Sequence, residues 1–270
     1  MPSQSEKAQI MTDLHQGSET FLIPGPWDVA SARVFESLGF PALATTSGGL
    51  AYSLGKLDGE VTLEEKVIHC RALAEATQIP ITADLENGYF HHPEGVAETI
   101  RRISETGVVG GSIEDWSGEG IYDFNHAVER IEAAVEAARL LDFPFAVIGR
   151  CENLLRKQND MDDTIRRLQA YEAAGVDVLF APGLRTMEEV KAVVDEINTP
   201  LSVVAMSPEI SVAKLAEAGA RRVSIGGAMA MAAYAALIEG ALEMKEQGTF
   251  DWMKKLSPEN AIEPLLTSRR

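Results

Sequence analysis

The sequence predicts a single (β/α)₈ barrel, or TIM barrel, across residues 1–270. Eight short apolar, β-branched segments alternate strictly with eight helical segments, which is typical of a parallel sheet with helical crossovers. Eight such units within about 230 residues match the usual length of this barrel. A hydrophobic content of 46% is enough for one large core. A doubly wound open sheet is the alternative, but it rarely contains eight units of such regularity.

Short apolar runs mark the strands. In chain order they lie at 21–25, 41–47, 81–86, 110–115, 145–152, 176–181, 201–205 and 222–225. Residues 1–20 precede them as a loose polar N-terminal lead with no expected place in the barrel.

Capping residues and glycines mark the helix ends. Asp28 is expected to cap the first helix, and Thr62-Leu63-Glu64-Glu65 fits a capping box for the second. Pro93 lies in the first turn of the third helix. The later helices are expected to begin near His126, after the linker 156–160, at Thr186, at Ser211 and after Gly226-Gly227.

The C-terminal tail, residues 249–270, does not belong to the eight-fold alternation. Its apolar residues have no obvious packing site within a closed barrel: Phe250, Trp252, Met253, Leu256, Leu265 and Leu266. We expect the tail, together with the last helix, to pack on a neighbouring subunit. The alternative is that it covers the barrel floor of its own chain.

Composition limits the partners and the location. Lys and Arg number 24 and Asp and Glu 41, a net charge of −17. This balance argues against nucleic acid and anionic membranes as partners, but not against a small anionic substrate. The N-terminus has no signal-peptide pattern, no apolar run approaches a membrane span, and two cysteines make no disulfide framework. We expect a cytoplasmic protein in a reducing compartment.

Polar side chains coincide with the expected carboxyl ends of the strands, where barrel enzymes hold their active sites. Asp84 and Glu86 end the third strand at positions i and i+2, so we expect both carboxylates on one face. Glu114 ends the fourth strand and Arg150 the fifth. Carboxylates held together repel unless a proton or a cation lies between them.

Asp84, Glu86 and Glu114 offer only oxygen ligands, a donor set that suits a hard octahedral cation. Mg²⁺ fits best, with Mn²⁺ as a second choice, and would stabilise an enolate of a 2-oxo or 2-hydroxy acid. The alternative is that these acids cap helices or pair with basic residues. Arg150 would bind a substrate carboxylate or phosphonate, or form a structural ion pair with Glu152 or Glu114.

Five segments together resemble the isocitrate lyase / phosphoenolpyruvate mutase superfamily over about residues 20–240. They are 47–49, 55–58, 84–89, 111–115 and 149–152. The resemblance implies a barrel with Mg²⁺, a small 2-oxo or 2-hydroxy acid substrate, and chemistry at a C–C or P–C bond. It also implies a homo-oligomer, a tetramer built from dimers that exchange their eighth helices.

The resemblance assigns metal ligands by position. Asp84 would be the main ligand, with Glu86 and Glu114 binding through water. The family usually has an aspartate where this chain has Glu86, so the longer side chain alters the expected water network.

The resemblance also assigns contacts with the substrate. Thr46, Ser47 and Gly48 would supply hydroxyl and backbone donors to its carboxylate and oxo group. Arg150 would bind the other end of the acid. Asp58 matches the aspartate of the gate loop, which in some members contacts the reacting group.

The loop after the fourth strand departs from the family. Lyases carry Lys-Lys-Cys-Gly-His there, with the cysteine as proton donor, whereas residues 116–122 contain no Cys, Lys or His. The phosphonate enzymes place a Lys and an Asn in this loop, and both are missing. Enolate chemistry without a dedicated loop acid remains.

The resemblance and this departure together imply a Mg²⁺-dependent lyase for a small 2-oxo or 2-hydroxy di- or tricarboxylate. It would cleave a C–C bond by retro-aldol reaction or decarboxylation through a metal-bound enolate, with Glu119, Tyr122 or water providing the proton. The alternatives are a P–C bond enzyme of the phosphoenolpyruvate mutase or phosphonopyruvate hydrolase type, and a non-catalytic 2-oxo-acid binding protein.

Overall fold

The computed structural model describes residues 2–256 and 261–267 of the chain, and within them eight parallel strands form one sheet. The strands are β1 (Phe21–Leu22), β2 (Leu43–Ala44), β3 (Ile81–Asp84), β4 (Gly110–Glu114), β5 (Ala146–Arg150), β6 (Val178–Phe180), β7 (Leu201–Val204) and β8 (Arg222–Ser224). From β2 to β8 each strand pairs with the next, and β8 pairs with β1. The backbone N–H of Ala44 donates to the carbonyl of Pro24 at 3.1 Å and closes the ring. The predicted (β/α)₈ barrel is confirmed.

Eight helices each follow one strand, as expected from the crossovers. They are α2 (Val29–Ser37), α4 (Leu63–Ala76), α5 (Pro93–Ser104), α6 (Phe124–Arg139), α7 (Met161–Ala173), α8 (Met187–Val194), α9 (Val212–Glu217) and α10 (Ala228–Glu246). Three further helices lie outside this alternation: α1 (Gln4–Gln16), α3 (Ser47–Ser53) and α11 (Glu263–Thr267). No helix in the described ranges is long and apolar enough to cross a membrane.

The hydrophobic core has two main parts. The larger part lies between the strands and the helix layer and includes Leu43, Leu73, Ile113 and Val147, all fully buried. The smaller part fills the amino-terminal end of the barrel, where Phe21 and neighbouring strand residues meet side chains of α1. This end is closed, so the opposite end is left for a site.

Residues 4–16 form α1, which corrects the expectation of a loose polar lead. Ser3 and Glu6 make a capping box, and Ala8 and Met11 are buried in the smaller core. Lys7 donates from Nζ to the carbonyl of Thr77 at 2.7 Å and so fixes the helix to the end of α4. The helix was overlooked because its buried residues are few, and its partners lie far away along the chain.

The C-terminal tail contacts its own chain in two places. The hydroxyl of Ser37 in α2 donates to the carbonyl of Leu265 at 2.6 Å, and Arg33 donates to the carbonyl of Leu266. Trp252 packs on Gly240 of α10. These parts of the tail therefore contact their own chain, and packing of the tail on a neighbouring subunit stays a prediction. Residues 257–260 and 268–270 of the tail lie outside the described residues.

The packing of α1 makes a testable prediction. Met11→Ala should destabilise the protein by about 2–5 kcal/mol, because it leaves a cavity in the amino-terminal core. The matched control is Ile10→Ala, since Ile10 is 42% exposed on the same helix whereas Met11 is 0% exposed. Urea unfolding measures both. Equal effects for the two variants would show that α1 does not seal the barrel.

Candidate active site

A cavity of about 710 Å³ opens at the carboxyl ends of the strands. Every strand or the loop that follows it contributes to the wall, with representatives Gly25, Ala44, Asp84, Ser112, Arg150, Phe180, Val204 and Ser224. The cavity lies where barrel enzymes perform their chemistry.

One guanidinium organises the acidic side of this cavity. Arg150 Nε lies 2.6 Å from Glu152 Oε1 and 3.3 Å from Glu114 Oε2, and its Nη1 lies 3.6 Å from Asp84 Oδ1. Glu114 and Arg150 lie side by side because they are in register on the neighbouring parallel strands β4 and β5. The structural ion pair that the sequence left open is therefore present, and the surrounding carboxylates hold the pKa of Arg150 above its usual value.

Glu86 reaches the same cluster by a turn rather than by strand alternation. β3 ends at Asp84, and Glu86 adopts a left-handed conformation with a φ of 50°. Its N–H donates to Asp84 Oδ1 at 3.2 Å, and its carbonyl accepts from the N–H of Glu114 at 2.9 Å. These two bonds place the Glu86 backbone between the ends of β3 and β4.

The carboxyl groups of the cluster titrate differently. Desolvation, followed by the charge of Asp84, raises the pKa of Glu86 to about 7. Burial raises the pKa of Glu114 well above its usual value. Burial would also raise the pKa of Asp84, but Arg150 and Lys66 hold it below its usual value. Glu86 and Glu114 therefore hold protons more readily than free carboxyl groups do, and a bound cation could take the place of those protons.

The residues fit a hard cation, although they do not form a closed ligand set. Within residues 2–256 and 261–267, no three His, Cys, Asp or Glu side chains are grouped as a ready metal site. All donors are oxygens, however, and Glu86 Oε1 is buried without a hydrogen-bond partner among these residues. An ion held by one or two carboxylates and several waters does not need three converging side chains.

The predicted substrate-binding residues lie beside Asp84 at the start of α3. Ser47 donates its backbone N–H to Asp84 Oδ2 at 3.3 Å, and Thr46 caps the helix by accepting from Gly49. A Cβ built on Gly48 would lie 3.4 Å from Asp58 Oδ2, so this glycine lets the Asp58 carboxylate approach. Desolvation raises the pKa of Asp58, while a hydrogen bond with Ser47 opposes the rise.

Two predicted proton donors lie elsewhere. Glu119 is exposed at the tip of a loop closed by the pairing of Trp116 with Ile121, and it does not line the cavity. The hydroxyl of Tyr122 lies 2.6 Å from Nδ1 of His91, outside the cavity lining. Neither side chain lines the cavity, and the role of both residues as proton donors stays a prediction.

Sequence reasoning missed two buried cations. Lys66 is 0% exposed and donates to Thr45 Oγ1 at 2.9 Å, and the same oxygen accepts the N–H of Asp84 at 3.0 Å. Lys66 shares one face of α4 with Leu63 and Cys70, and that face is buried. This helical spacing was the sequence signal that Lys66 would be buried. Arg222 lines the deep part of the cavity. Arg222 and Ser224 are two residues apart on β8, so their side chains point to the same face of the strand. This spacing was the sequence signal that Arg222 faces the barrel interior.

A family model described as phosphoenolpyruvate phosphomutase matches residues 11–245. The chain belongs to this family. The resemblance to the isocitrate lyase / phosphoenolpyruvate mutase superfamily is thereby confirmed.

Relatives in sequence include an uncharacterized protein of Mycobacterium tuberculosis, 31% identical over 79% of this chain and 80% of its own length. An oxaloacetate decarboxylase of Bradyrhizobium diazoefficiens is 30% identical over 82% of this chain and 79% of its own length. Both alignments span most of the barrel.

Solved structures agree with this assignment. A Burkholderia cenocepacia protein described as a lyase or mutase is 44% identical, with a TM-score of 0.94 over 98% of this chain and 97% of the other. A 2,3-dimethylmalate lyase of the same superfamily is 29% identical, with a TM-score of 0.86 over 98% of this chain and 95% of the other.

The raised pKa of Glu86 makes a prediction for the metal-free protein. Between the ordinary value of 4.5 and about 7, the folded state keeps a proton that the unfolded chain releases, so stability falls as the pH rises. Glu86→Gln cannot ionise. It should match the wild type below about pH 5 and exceed it above about pH 7, by on the order of 1–2 kcal/mol.

Thermal unfolding in a chelating buffer measures this difference. Glu119→Gln is the matched control, because Glu119 is an exposed glutamate outside the cavity. A difference between Glu86→Gln and wild type that does not change with pH would contradict the burial of an ionising carboxylate at this position.

Proposed function

We propose that the protein is a Mg²⁺-dependent lyase that cleaves a C–C bond of a small 2-oxo or 2-hydroxy di- or tricarboxylate, by retro-aldol reaction or decarboxylation. The carboxylate cluster around Arg150, facing a cavity beside the backbone donors of α3, carries this proposal. Family membership and the relatives named as oxaloacetate decarboxylase and 2,3-dimethylmalate lyase support it. A cytoplasmic location, without nucleic-acid or membrane partners, remains a prediction.

In this proposal Asp84 binds the cation directly, and Glu86 and Glu114 bind it through water. Mg²⁺ is the expected ion and Mn²⁺ the alternative, because all the donors are oxygens. The bound cation supplies positive charge that lowers the energy of an enolate. Arg150 keeps the cluster assembled because it contacts Asp84, Glu114 and Glu152 at once, and Arg156 adds a second contact to Glu152 at 2.8 Å.

The donors at the start of α3 would orient the acid. Thr46, Ser47 and Gly48 lie next to Asp84, so hydroxyl and N–H groups there can reach the carboxylate and oxo oxygens of a bound 2-oxo acid. Asp58 lies over Gly48 and faces the same space. Asp58 lines the cavity, so it joins Glu119, Tyr122 and water as a candidate source of the proton.

A reaction at a P–C bond is the second candidate, because the matching family model carries the name phosphomutase. The loop 116–122 lacks the Lys and Asn of the phosphonate enzymes, which favours C–C cleavage. A panel of oxaloacetate, methylisocitrate, dimethylmalate and phosphonopyruvate with Mg²⁺ decides between them. Release of pyruvate from oxaloacetate, methylisocitrate or dimethylmalate supports a lyase. Formation of phosphate or phosphoenolpyruvate from phosphonopyruvate overturns it, and binding without any product indicates a non-catalytic binder.

Removal of the main metal ligand gives a direct test. Asp84→Ala should lower Mg²⁺ affinity by at least about 100-fold, because it removes a direct ligand rather than an outer-shell partner. Calorimetric titration of Mg²⁺ and turnover of the accepted substrate measure the effect. The control is Asp142→Ala, an exposed aspartate that precedes the amino-terminal end of β5. Unchanged Mg²⁺ affinity in Asp84→Ala would show that the ion binds elsewhere.

We also propose a homo-oligomer, a dimer or tetramer, in which α10 packs against a neighbouring subunit. Only Ala230 and Gly240 of this 19-residue helix are buried in the isolated chain. Its large apolar side chains are exposed, including Met229, Met231, Leu237, Ile238, Leu242 and Met244. An apolar surface of this extent is typical of a subunit interface.

A charge on this surface should separate the subunits. Leu237 is 64% exposed in the isolated chain, so Leu237→Glu should leave the barrel folded but lower the molar mass measured by light scattering. Leu140→Glu is the control, because Leu140 is 85% exposed at the end of α6. An unchanged molar mass for Leu237→Glu, or a monomeric wild type, would refute the exchange of α10.

A further inference from the structure

The cavity extends below the level of the carboxylate cluster. Inward-facing positions of a TIM barrel are usually filled by bulky branched side chains. Here several of the inward-facing residues that line the cavity are small, namely Ala44, Ser112, Ser202 and Ser224. The space they leave reaches Arg222, the first residue of β8.

Arg222 is a buried cation with unused hydrogen-bond donors. The residue is 6% exposed, and its Nη2 donates to Thr82 Oγ1 at 3.0 Å. Its Nε and Nη1 are buried and have no hydrogen-bond partner among residues 2–256 and 261–267. A buried guanidinium with unpaired donors is costly in free energy, unless a ligand or water completes its hydrogen bonds.

The two arginines of the cavity differ in what they can still bind. Arg150 already has Glu152, Glu114 and Asp84 around it. Arg222 has no carboxylate within salt-bridge distance among the described residues, and Asp84 acts on it only through its field. A second anionic group in the cavity therefore finds free charge and free donors at Arg222 rather than at Arg150.

The hydrogen bond to Thr82 shows how far below the carboxylate cluster the Arg222 guanidinium lies. Thr82 and Asp84 lie two residues apart on the same face of β3, which separates their levels by about 7 Å along the strand. The guanidinium bonded to Thr82 thus lies about one strand repeat below the Asp84 carboxylate. A short dicarboxylate can bridge two levels separated by this distance.

We propose that Arg222, with the hydroxyl of Ser202 at the same level of the wall, binds the second carboxylate of a dicarboxylate ligand whose first carboxylate and adjacent oxygen are held at the Asp84 level. This inference rests on the proposed function for its ligand class. The guanidinium fork matches a carboxylate geometrically, and both unpaired nitrogens acquire a partner. The subsite selects dicarboxylates over monocarboxylates of the same length.

A matched pair of ligands tests the selection. L-malate and 2-hydroxybutyrate share the 2-hydroxy acid group and differ in a terminal carboxylate against a methyl group. Calorimetry with Mg²⁺ should show that Arg222→Met loses about 10- to 100-fold in affinity for L-malate and little for 2-hydroxybutyrate. Arg221→Met is the control, since it removes the same charge at the adjacent position, which does not line the cavity. It should leave both affinities unchanged.

Arg222→Lys keeps the experiment decisive if Arg222→Met does not fold. Lysine retains the charge but not the fork, so the loss should again fall on L-malate and be smaller. Equal losses for both ligands, or no loss for L-malate, would overturn the subsite. The measurement needs no turnover, so a protein that selects L-malate through Arg222 but converts no substrate would refute the proposed function and leave this subsite standing.

Discussion

The geometry of the candidate site depends on the ion cluster around Arg150. Three carboxylates lie within 2.6–3.6 Å of its guanidinium nitrogens, and Glu152 among them is fully buried. Such groups would repel one another and unfold the strand ends without a shared cation. The parallel register of β4 with β5 brings Glu114 and Arg150 level, and Asp84 joins them from β3. The barrel therefore positions the cluster, and the cluster stabilises the strand ends that form it.

The parts of the fold that the sequence could predict are those that repeat. Eight alternations of strand and helix constrain the topology together, so an error in one boundary does not change the barrel. The meeting of Asp84, Glu114 and Arg150 follows from one rule, that strand ends of a parallel barrel share one mouth. Glu86 shows the limit of that rule. Its side chain reaches the cluster through a left-handed turn, a local conformation that alternation along a strand cannot indicate.

Features set by contacts between distant segments could not be predicted. The helix α1 buries only a few residues, and these pack against residues such as Ala146 that are remote in sequence. Tyr122 lies in the loop that distinguishes subclasses, and the structure places its ring against His91 and Arg130. A motif comparison locates a loop along the chain but not the direction of its side chains. Lys66 and Arg222 were not predicted as buried cations for a related reason. The sequence does not show the distant residues that surround a buried cation.

The distribution of charge along the cavity constrains how an acid can bind. Carboxylates dominate at the level of the strand ends, where Glu86 and Glu114 have raised pKa values because burial and neighbouring charges disfavour ionisation. A cation that binds there can take the place of the protons on these groups, and its charge would favour the binding of an acid at the same level. Below that level Arg222 has unpaired donors and no adjacent carboxylate. Oxygen donors near the mouth and a buried guanidinium below them therefore give an entering acid a preferred orientation along the barrel axis.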